Sequence, residues 1–367
     1  MGKIRVLIVD DSASIRQALS EVLSSDPDID VMGTAGDPYV AARRIQDEIP
    51  DVIMLDVEMP RMDGITFLRK LMSQRPLPVI ICSSLVEPGS QVLTQAMEAG
   101  AVDVILKPRM GTRDYLIEAQ TRICDTVKAA ALAKIRGKSS SGKAAALSEE
   151  RLMPSKRVQP KLNADAMLPP PIPNAQFRPT EKIICIGAST GGTESLRTVL
   201  EYLPATTPGI VIVQHMPESF TTTFARRLDS LCQMRVKEAE DGDAVLPGQV
   251  LIAPGNFHVL LRRQSNGYVV DVKEGPLVSR HRPSVDVLFR SAARAAGPNA
   301  LGVIMTGMGD DGAQGLLEMR QAGAITIAEH ESTCVVFGMP KEAISRGGAQ
   351  HIIPLSDIAA GIQRLCH

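Results

Sequence analysis

The stretch CIGASTGGTES, residues 185–195, completes an apolar run that begins at Ile183 and leads into a helical pattern. An apolar run that ends in glycines and opens a helix reads as a strand–turn–helix unit, the building block of a parallel sheet covered by helices. Two chemistries use such a turn. Its N–H groups can cradle a phosphate, or it can lift one serine above the sheet edge. Spacing separates the two. A dinucleotide fingerprint needs G-x-G-x-x-G, and a P-loop needs G-x-x-x-x-G-K-[ST]. Here Gly187 is followed by Gly191 and Gly192 with no lysine after them. The acid expected about twenty residues on in a dinucleotide site is also missing, since PGIVIVQ stands there. Gly187-Ala188-Ser189-Thr190-Gly191 does satisfy G-x-S-x-G, with glycines that relieve crowding around the turn. A serine capping a helix fits the same pattern, so a nucleophile needs a base and an acid beside it.

Further apolar runs at 210–213, 250–253, 301–305 and 324–328 alternate with helical patterns. Around 235–273 the pattern alternates more and carries PG and NG turn signals, which predicts a hairpin. His215 follows the second run, and Asp310-Asp311 follow another. In a parallel sheet Ser189, His215 and these aspartates project from one edge. A triad is recognised by geometry and roles rather than by chain order. The order Ser, His, Asp differs from the Ser, Asp, His order of α/β-hydrolases. His258 and His330, near other strand ends, are rival bases; His215 is favoured because its run directly follows the serine unit. His281-Arg282-Pro283-Ser284-Val285-Asp286 reads as a helix start, with Pro283 at the first helical position and Asp286 in the first turn. Arg280, His281 and Arg282 are also candidates to face an acidic substrate.

The 367 residues suffice for about two domains. A 44% hydrophobic and 22% charged composition is that of an ordinary globular chain. The net charge of -1 selects neither nucleic acid nor a membrane surface. Aromatic residues make up only 3% and tryptophan is absent, which argues against base-stacking platforms and predicts aliphatic cores. No apolar run approaches the ~20 residues that span a bilayer, and the opening MGKIRVLIVDDS is too short for a signal peptide. Six scattered cysteines without a CxxC pair read as buried thiols, which places the chain in a reducing cytoplasm.

The first 124 residues carry five apolar runs, at 4–9, 29–34, 52–55, 79–82 and 102–106. They lack inward/outward alternation, so both faces are expected to be covered, as in a doubly wound (βα)5 parallel fold. Asp10, Asp11 and Ser12 end the first run, Asp56 the third, Ser83 and Ser84 the fourth, and Lys107 and Pro108 the fifth. Three carboxylates on one edge repel unless a cation neutralises them, and hard oxygen ligands suit Mg²⁺. Asp56, at the middle of the edge, is placed to attack a phosphoryl group, with Lys107 balancing charge and Ser83 bonding the product. The set resembles a response-regulator receiver domain over residues 1–124. The resemblance implies a phosphoacceptor at Asp56 and a main-chain metal ligand at Glu58, in the loop Glu58-Met59-Pro60-Arg61-Met62-Asp63-Gly64. Ile105 departs from the family, in which many members carry an aromatic switch residue there.

Residues 125–180 begin as a helix extension and become rich in proline and polar residues, which reads as a tether. Beyond it, CIGASTGG, QHMP, APG, HRPSVD and TGMGDDGA together resemble the catalytic domain of the chemotaxis protein-glutamate methylesterase and glutaminase (CheB-type) family. The resemblance covers residues 181–367 and implies a triad at Ser189, His215 and Asp311. The resemblance also implies carboxylic ester hydrolysis with glutamine deamidation, on the cytoplasmic part of a membrane chemoreceptor, after phosphorylation by a chemotaxis histidine kinase. Main-chain N–H groups at Thr190 and in the Met308-Gly309 turn are candidates for an oxyanion hole. No cofactor is expected in the hydrolase site, and no nucleic acid or membrane insertion. The alternative is a receiver joined to a DNA- or nucleotide-binding output. It lacks a basic recognition helix.

Overall fold

Burial on both faces explains the N-terminal strands. Every residue of β3 (Val52–Asp56) and β4 (Val79–Ser83) is buried, as are the last four of β1 (Ile4–Val9). With β2 (Ile29–Ala35) and β5 (Asp103–Leu106) they form a parallel sheet in the order β2-β1-β3-β4-β5. The five expected runs are thus strands within one or two residues at their ends. Helices α1 (Ala13–Ser24), α2 (Pro38–Asp47), α3 (Gly64–Gln74), α4 (Val92–Glu98) and α5 (Arg113–Ala131) alternate with them, as doubly wound folds require. The computed structural model describes residues 2–83, 92–108, 113–133, 161–173, 175–178, 181–265 and 267–366. The register pairs Asp56 with Cys82, and Ser83 with Leu106, so the ends of β3, β4 and β5 share one edge. Ile105 is buried in the apolar layer with Cys82, Ile123 and Val127.

The second sheet runs β14-β13-β12-β6-β7-β9-β8 and is parallel throughout. Its strands are β6 (Ile183–Ala188), β7 (Ile210–Gln214), β8 (Arg235–Glu238), β9 (Gln249–Ile252), β12 (Ala300–Ile304), β13 (Ile325–Glu329) and β14 (His351–Ile353). Between β9 and β12 lies an antiparallel pair, β10 (His258–Gln264) and β11 (Gly267–Lys273). The expected hairpin is this pair. The first part of the same stretch supplies β8 and β9, which join the large sheet instead. β14 was missed at the sequence level because it is three residues long and mostly exposed at the sheet edge.

Helices cover both faces of this sheet. α6 (Gly192–Leu200), α7 (Glu218–Leu231) and α11 (Leu355–Cys366) build one apolar layer. α8 (Val285–Ala295), α9 (Ala313–Gln321) and α10 (Met339–Ser345) build the other. The chain leaves β6 towards β7 on one side and returns as β12 on the other. That reversal makes the carboxyl ends of β6 and β12 the switch point of the sheet, the place where open α/β sheets bind ligands.

Part of the expected tether is packed on this second unit. Leu162 bridges to Val278, and Ala164, Met167 and Leu168 cover Leu260 and Val287. Arg290 is buried and needs acceptors; Glu318 supplies two at 2.6 and 2.7 Å, and Asp165 and the Leu168 carbonyl supply more. A few apolar residues and one buried cation therefore order a segment whose composition reads as a spacer. Residues 134–160 of that expectation, and Ser84, lie outside the described residues. Among the described residues, no helix is long and apolar enough to cross a membrane.

Candidate functional site

Two polar clusters form at strand ends, one in each unit. In the first, Lys107 Nζ lies 2.7 Å from Asp10 Oδ2 and 2.9 Å from Asp56 Oδ2. All three side chains are buried, and so is Ser83. Oxygens of Asp10, Asp11 and Asp56 come within 4.8 Å of one another. Three carboxylates against one ammonium leave an excess of negative charge. Burial pushes the Asp56 carboxyl up, Lys107 pulls it back, and Asp10 pushes it up again, for a net rise. A hard-oxygen donor set with uncompensated charge fits a divalent cation such as Mg²⁺. The Glu58 carboxyl is exposed, while its N–H approaches Asp56 Oδ1 at 3.3 Å. That contact closes a local turn directly after Asp56.

In the second cluster, Ser189 directly follows β6. Its N–H donates to the Thr306 carbonyl at 3.0 Å, and its own carbonyl accepts from Gly192 N–H at 2.7 Å and Gln214 Nε2 at 2.9 Å. The next turn requires glycine. Gly191 has φ +78°, and a Cβ there would sit 2.5 Å from Cβ of Val335. A Cβ on Gly307 would fall 2.6 Å from Cβ of Ser189, so the loop after β12 lies against the serine.

His215 follows β7 and is tied to Ala188 by its N–H at 3.1 Å. Its Nε2 lies 2.8 Å from Asp311 Oδ2. Its Nδ1 is buried with no hydrogen-bond partner, although no bond from Ser189 Oγ reaches it among the described residues. Asp311 is itself over-determined. Ser284 Oγ donates to it at 2.7 Å, and the N–H groups of Val285 and Asp286 donate at 2.8 and 3.0 Å. Its carboxylate therefore sits on the N-terminus of α8, where the helix dipole favours negative charge. Burial pushes its pKa up, but the hydrogen bond from His215 and the surrounding charges and donors hold it well below the usual carboxylate range.

The other sequence candidates separate by geometry. Asp310 pairs with Lys161 and, at 2.9 Å, with Arg346, away from His215. His258 is fully buried with Nε2 on the Pro276 carbonyl and Nδ1 accepting from Ser284 N–H, so neither nitrogen is open. His330 is exposed and bonded to Ser332. Pro283 precedes the N-cap Ser284 rather than occupying the first helical position; Asp286 is in the first turn of α8 as expected. None of the N–H groups of Thr190, Met308 and Gly309 donates a hydrogen bond among the described residues.

His281 has a place that its sequence did not signal. It stacks on His215 with ring centroids 3.7 Å apart and planes 7° from parallel. Only the fold brings the two together. Nitrogens of both rings and an Asp311 oxygen lie within 4.8 Å of one another. Parallel rings, however, direct their in-plane lone pairs side by side and not to one point, which does not suit a shared metal ion.

The two units meet over this edge. Thr190 Oγ1 donates to Asp103 Oδ2 at 2.9 Å, and Arg227 of α7 reaches Glu98 of α4 at 3.1 Å. Phe220 and Met216 pack into the apolar layer of the first unit with Ala96 and Ala99. Burial raises the Asp103 carboxyl to about 6, against the pull of Val104 N–H, Thr190 and His215.

The model of the CheB methylesterase family matches residues 184–362, and that of the response regulator receiver domain matches residues 6–119. A protein-glutamate methylesterase/protein-glutamine glutaminase 2 of Rhodospirillum rubrum is 67% identical over 364 residues, which cover 99% of this chain and 98% of that one. A protein-glutamate methylesterase/protein-glutamine glutaminase 3 of Geobacter metallireducens is 58% identical over 368 residues, covering 100% of both. The crystal structure of the Thermotoga maritima CheB methylesterase catalytic domain matches with a TM-score of 0.50 and 42% identity, over 51% of this chain and 100% of that one.

Proposed function

The chain belongs to the CheB methylesterase family with a response-regulator receiver ahead of its hydrolase unit, and on that premise we propose that Ser189, His215 and Asp311 are its hydrolytic triad. The enzyme is a protein-glutamate methylesterase/protein-glutamine glutaminase, acting in general terms on chemoreceptors under control of a kinase phosphodonor. The observation that carries the site assignment is the His215 ring, bonded to Asp311 through Nε2 and left with a buried, unpartnered Nδ1, at the strand end next to the one that carries Ser189.

In this reading Nδ1 of His215 takes the Ser189 proton as Oγ attacks the γ-carbonyl of a methylated glutamate. Asp311 holds the ring and balances the imidazolium. The carbonyl oxygen becomes an oxyanion that the N–H groups of Thr190, Met308 and Gly309 receive. His215 returns the proton to the departing methoxide, and methanol leaves an acyl-Ser189. A water molecule, deprotonated by His215, then attacks the acyl carbon; the bond to Ser189 Oγ breaks, His215 returns the proton to that oxygen, and the carboxylate is freed. With a glutamine side chain the same steps release ammonia.

We further propose that Asp56 accepts the phosphoryl group. Asp10, Asp11, Asp56 and the Glu58 main chain would hold Mg²⁺, which offsets negative charge on the transferred oxygens. Lys107 pairs with the product and Ser83 donates to it. The boundaries this assigns are a receiver over 1–124, a linker over 125–180 and a hydrolase over 181–367, with residues 161–173 of the linker packed on the hydrolase. Asp103 and Thr190 then form an inhibitory contact that phosphorylation loosens, shifting the population towards an open crevice.

The test is a pair of substrates. A receptor fragment methylated at one glutamate should release methanol, and the same fragment with glutamine there should release ammonia. Both should be lost together in Asp311→Asn. Loss of one without the other would reject a shared site.

A further inference from the structure

The turn that delivers His281 is built with effort. Val278 N–H and His281 C=O bond at 3.1 Å, and His281 N–H and Val278 C=O at 2.8 Å, closing a tight two-residue turn. Its central residues, Ser279 and Arg280, have φ +51° and +69°, yet neither is glycine. Such turns favour Asn-Gly because both central residues are left-handed. Strain of this kind persists only where the surroundings hold it, and it concentrates at working sites. Here Ser279 N–H donates to the Leu162 carbonyl at 2.8 Å, and Ser279 Oγ donates to Asp286 Oδ2 at 3.1 Å.

The strained turn fixes one ring. His281 Nδ1 lies 2.8 Å from the Ser279 carbonyl, which can only accept, so Nδ1 carries the hydrogen. Burial, with His215 adding to it, lowers the His281 pKa to about 3, so the ring is neutral near pH 7. Its face covers the face of His215 at 3.7 Å. His215 needs that cover. Asp311 holds one atom of its ring, and one hydrogen bond leaves rotation about that contact free. A flat neighbour at van der Waals distance removes the rotation and keeps Nδ1 aimed. When His215 becomes an imidazolium, the neutral π-face beside it also favours the cation.

We propose that His281 is a positioning residue for the general base: the stacked imidazole that sets the plane of His215 and accommodates its charged form. The inference rests on the triad reading above. The charged and titratable groups around the ring pair are Asp311, Asp103 from β5, and Lys161 from the packed linker segment; Arg280 is drawn off towards Asp125 at 3.9 Å.

The test uses the full chain and a methylated receptor fragment, with His281→Leu and His281→Phe. Leucine keeps bulk without a planar face; phenylalanine keeps the face. In H281L kcat should fall about tenfold or more with KM within about twofold, as a mis-aimed base predicts. The acid limb of kcat/KM, which reports protonation of the base, should also move to lower pH. H281F should recover most of both effects. The position of the limb does not depend on how much protein folds. Wild-type kcat and an unmoved limb in H281L, or equal damage in H281F, overturns the proposal. His215→Gln is run beside them. Activity surviving in H215Q is the failure of the triad reading, whereas an inactive H215Q with an unaffected H281L is the failure of the stacking role alone.

Discussion

Thr190, one residue beyond the proposed nucleophile, donates through Oγ1 to Oδ2 of Asp103 at 2.9 Å. Asp103 opens β5, and the same strand ends beside Lys107, which pairs with Asp56 at 2.9 Å. One strand therefore connects the proposed phosphoacceptor with the turn that carries Ser189.

Asp103→Asn should make inhibition independent of pH. The docked Asp103 carboxyl is raised to about 6, above its ordinary value, so docking takes up a proton. The docked arrangement is then most favoured below the ordinary carboxylate pKa and weakens as pH rises through about 6. Methanol release by the unphosphorylated wild type, divided by that of D103N, should climb between about pH 4 and pH 6 and level off above. A flat ratio would remove Asp103 from the regulatory contact.

Asp311→Asn keeps the shape of the side chain and removes the charge that steadies His215. Activity should fall about 10⁴-fold, the loss seen when a triad acid is replaced in this way. Stability should fall too, because Ser284 Oγ and the N–H groups of Val285 and Asp286 all donate to this carboxylate. The Asp311 pKa is depressed in the folded chain, so its contribution to stability is full above the ordinary carboxylate value and is lost as pH falls below it. Urea unfolding of wild type and D311N should converge in acid. A constant gap from pH 7 downwards would contradict the assignment.

Replacing Lys107 by methionine leaves Asp10 and Asp56 buried against each other without their shared cation. Removing one partner of a buried charge set costs about 3–5 kcal/mol. Mg²⁺ should restore much of that loss in K107M, and chelation should remove the gain, both read as shifts in the thermal midpoint. Indifference of K107M to Mg²⁺ would count against a metal at this edge.

Gly191→Ala tests the turn itself. Alanine would need a left-handed backbone, and its Cβ would press on Val335 at 2.5 Å. A loss of about 2–4 kcal/mol is expected from strain and overpacking together, with a fall in methanol release from the protein that remains folded. A near-neutral G191A would mean that the turn is looser than drawn.

The sequence made the strands legible for a physical reason. A strand covered on both faces is a nearly unbroken apolar run, and β3, β4, β6, β7 and β12 have that form, as does β1 after Arg5. Polar residues placed just after such runs then read as one edge, which located Ser189, His215, Asp311, Asp56 and Lys107. What escaped was set through space. His281 sits in a segment that resembles an ordinary helix start, and nothing local shows that it stacks on His215. The linker residues 161–173 look like a spacer until Arg290 supplies a buried cation for Asp165 and Leu168 to satisfy. β14 is too short and too exposed to announce itself.

The most direct measurement is methanol release from a methylated receptor fragment by Ser189→Ala, with phosphoryl transfer to Asp56 followed in the same sample. The account predicts no methanol above background and unchanged labelling of Asp56. Wild-type methanol release from S189A would contradict it, because the reaction would then have no use for the one serine the second unit is folded to present.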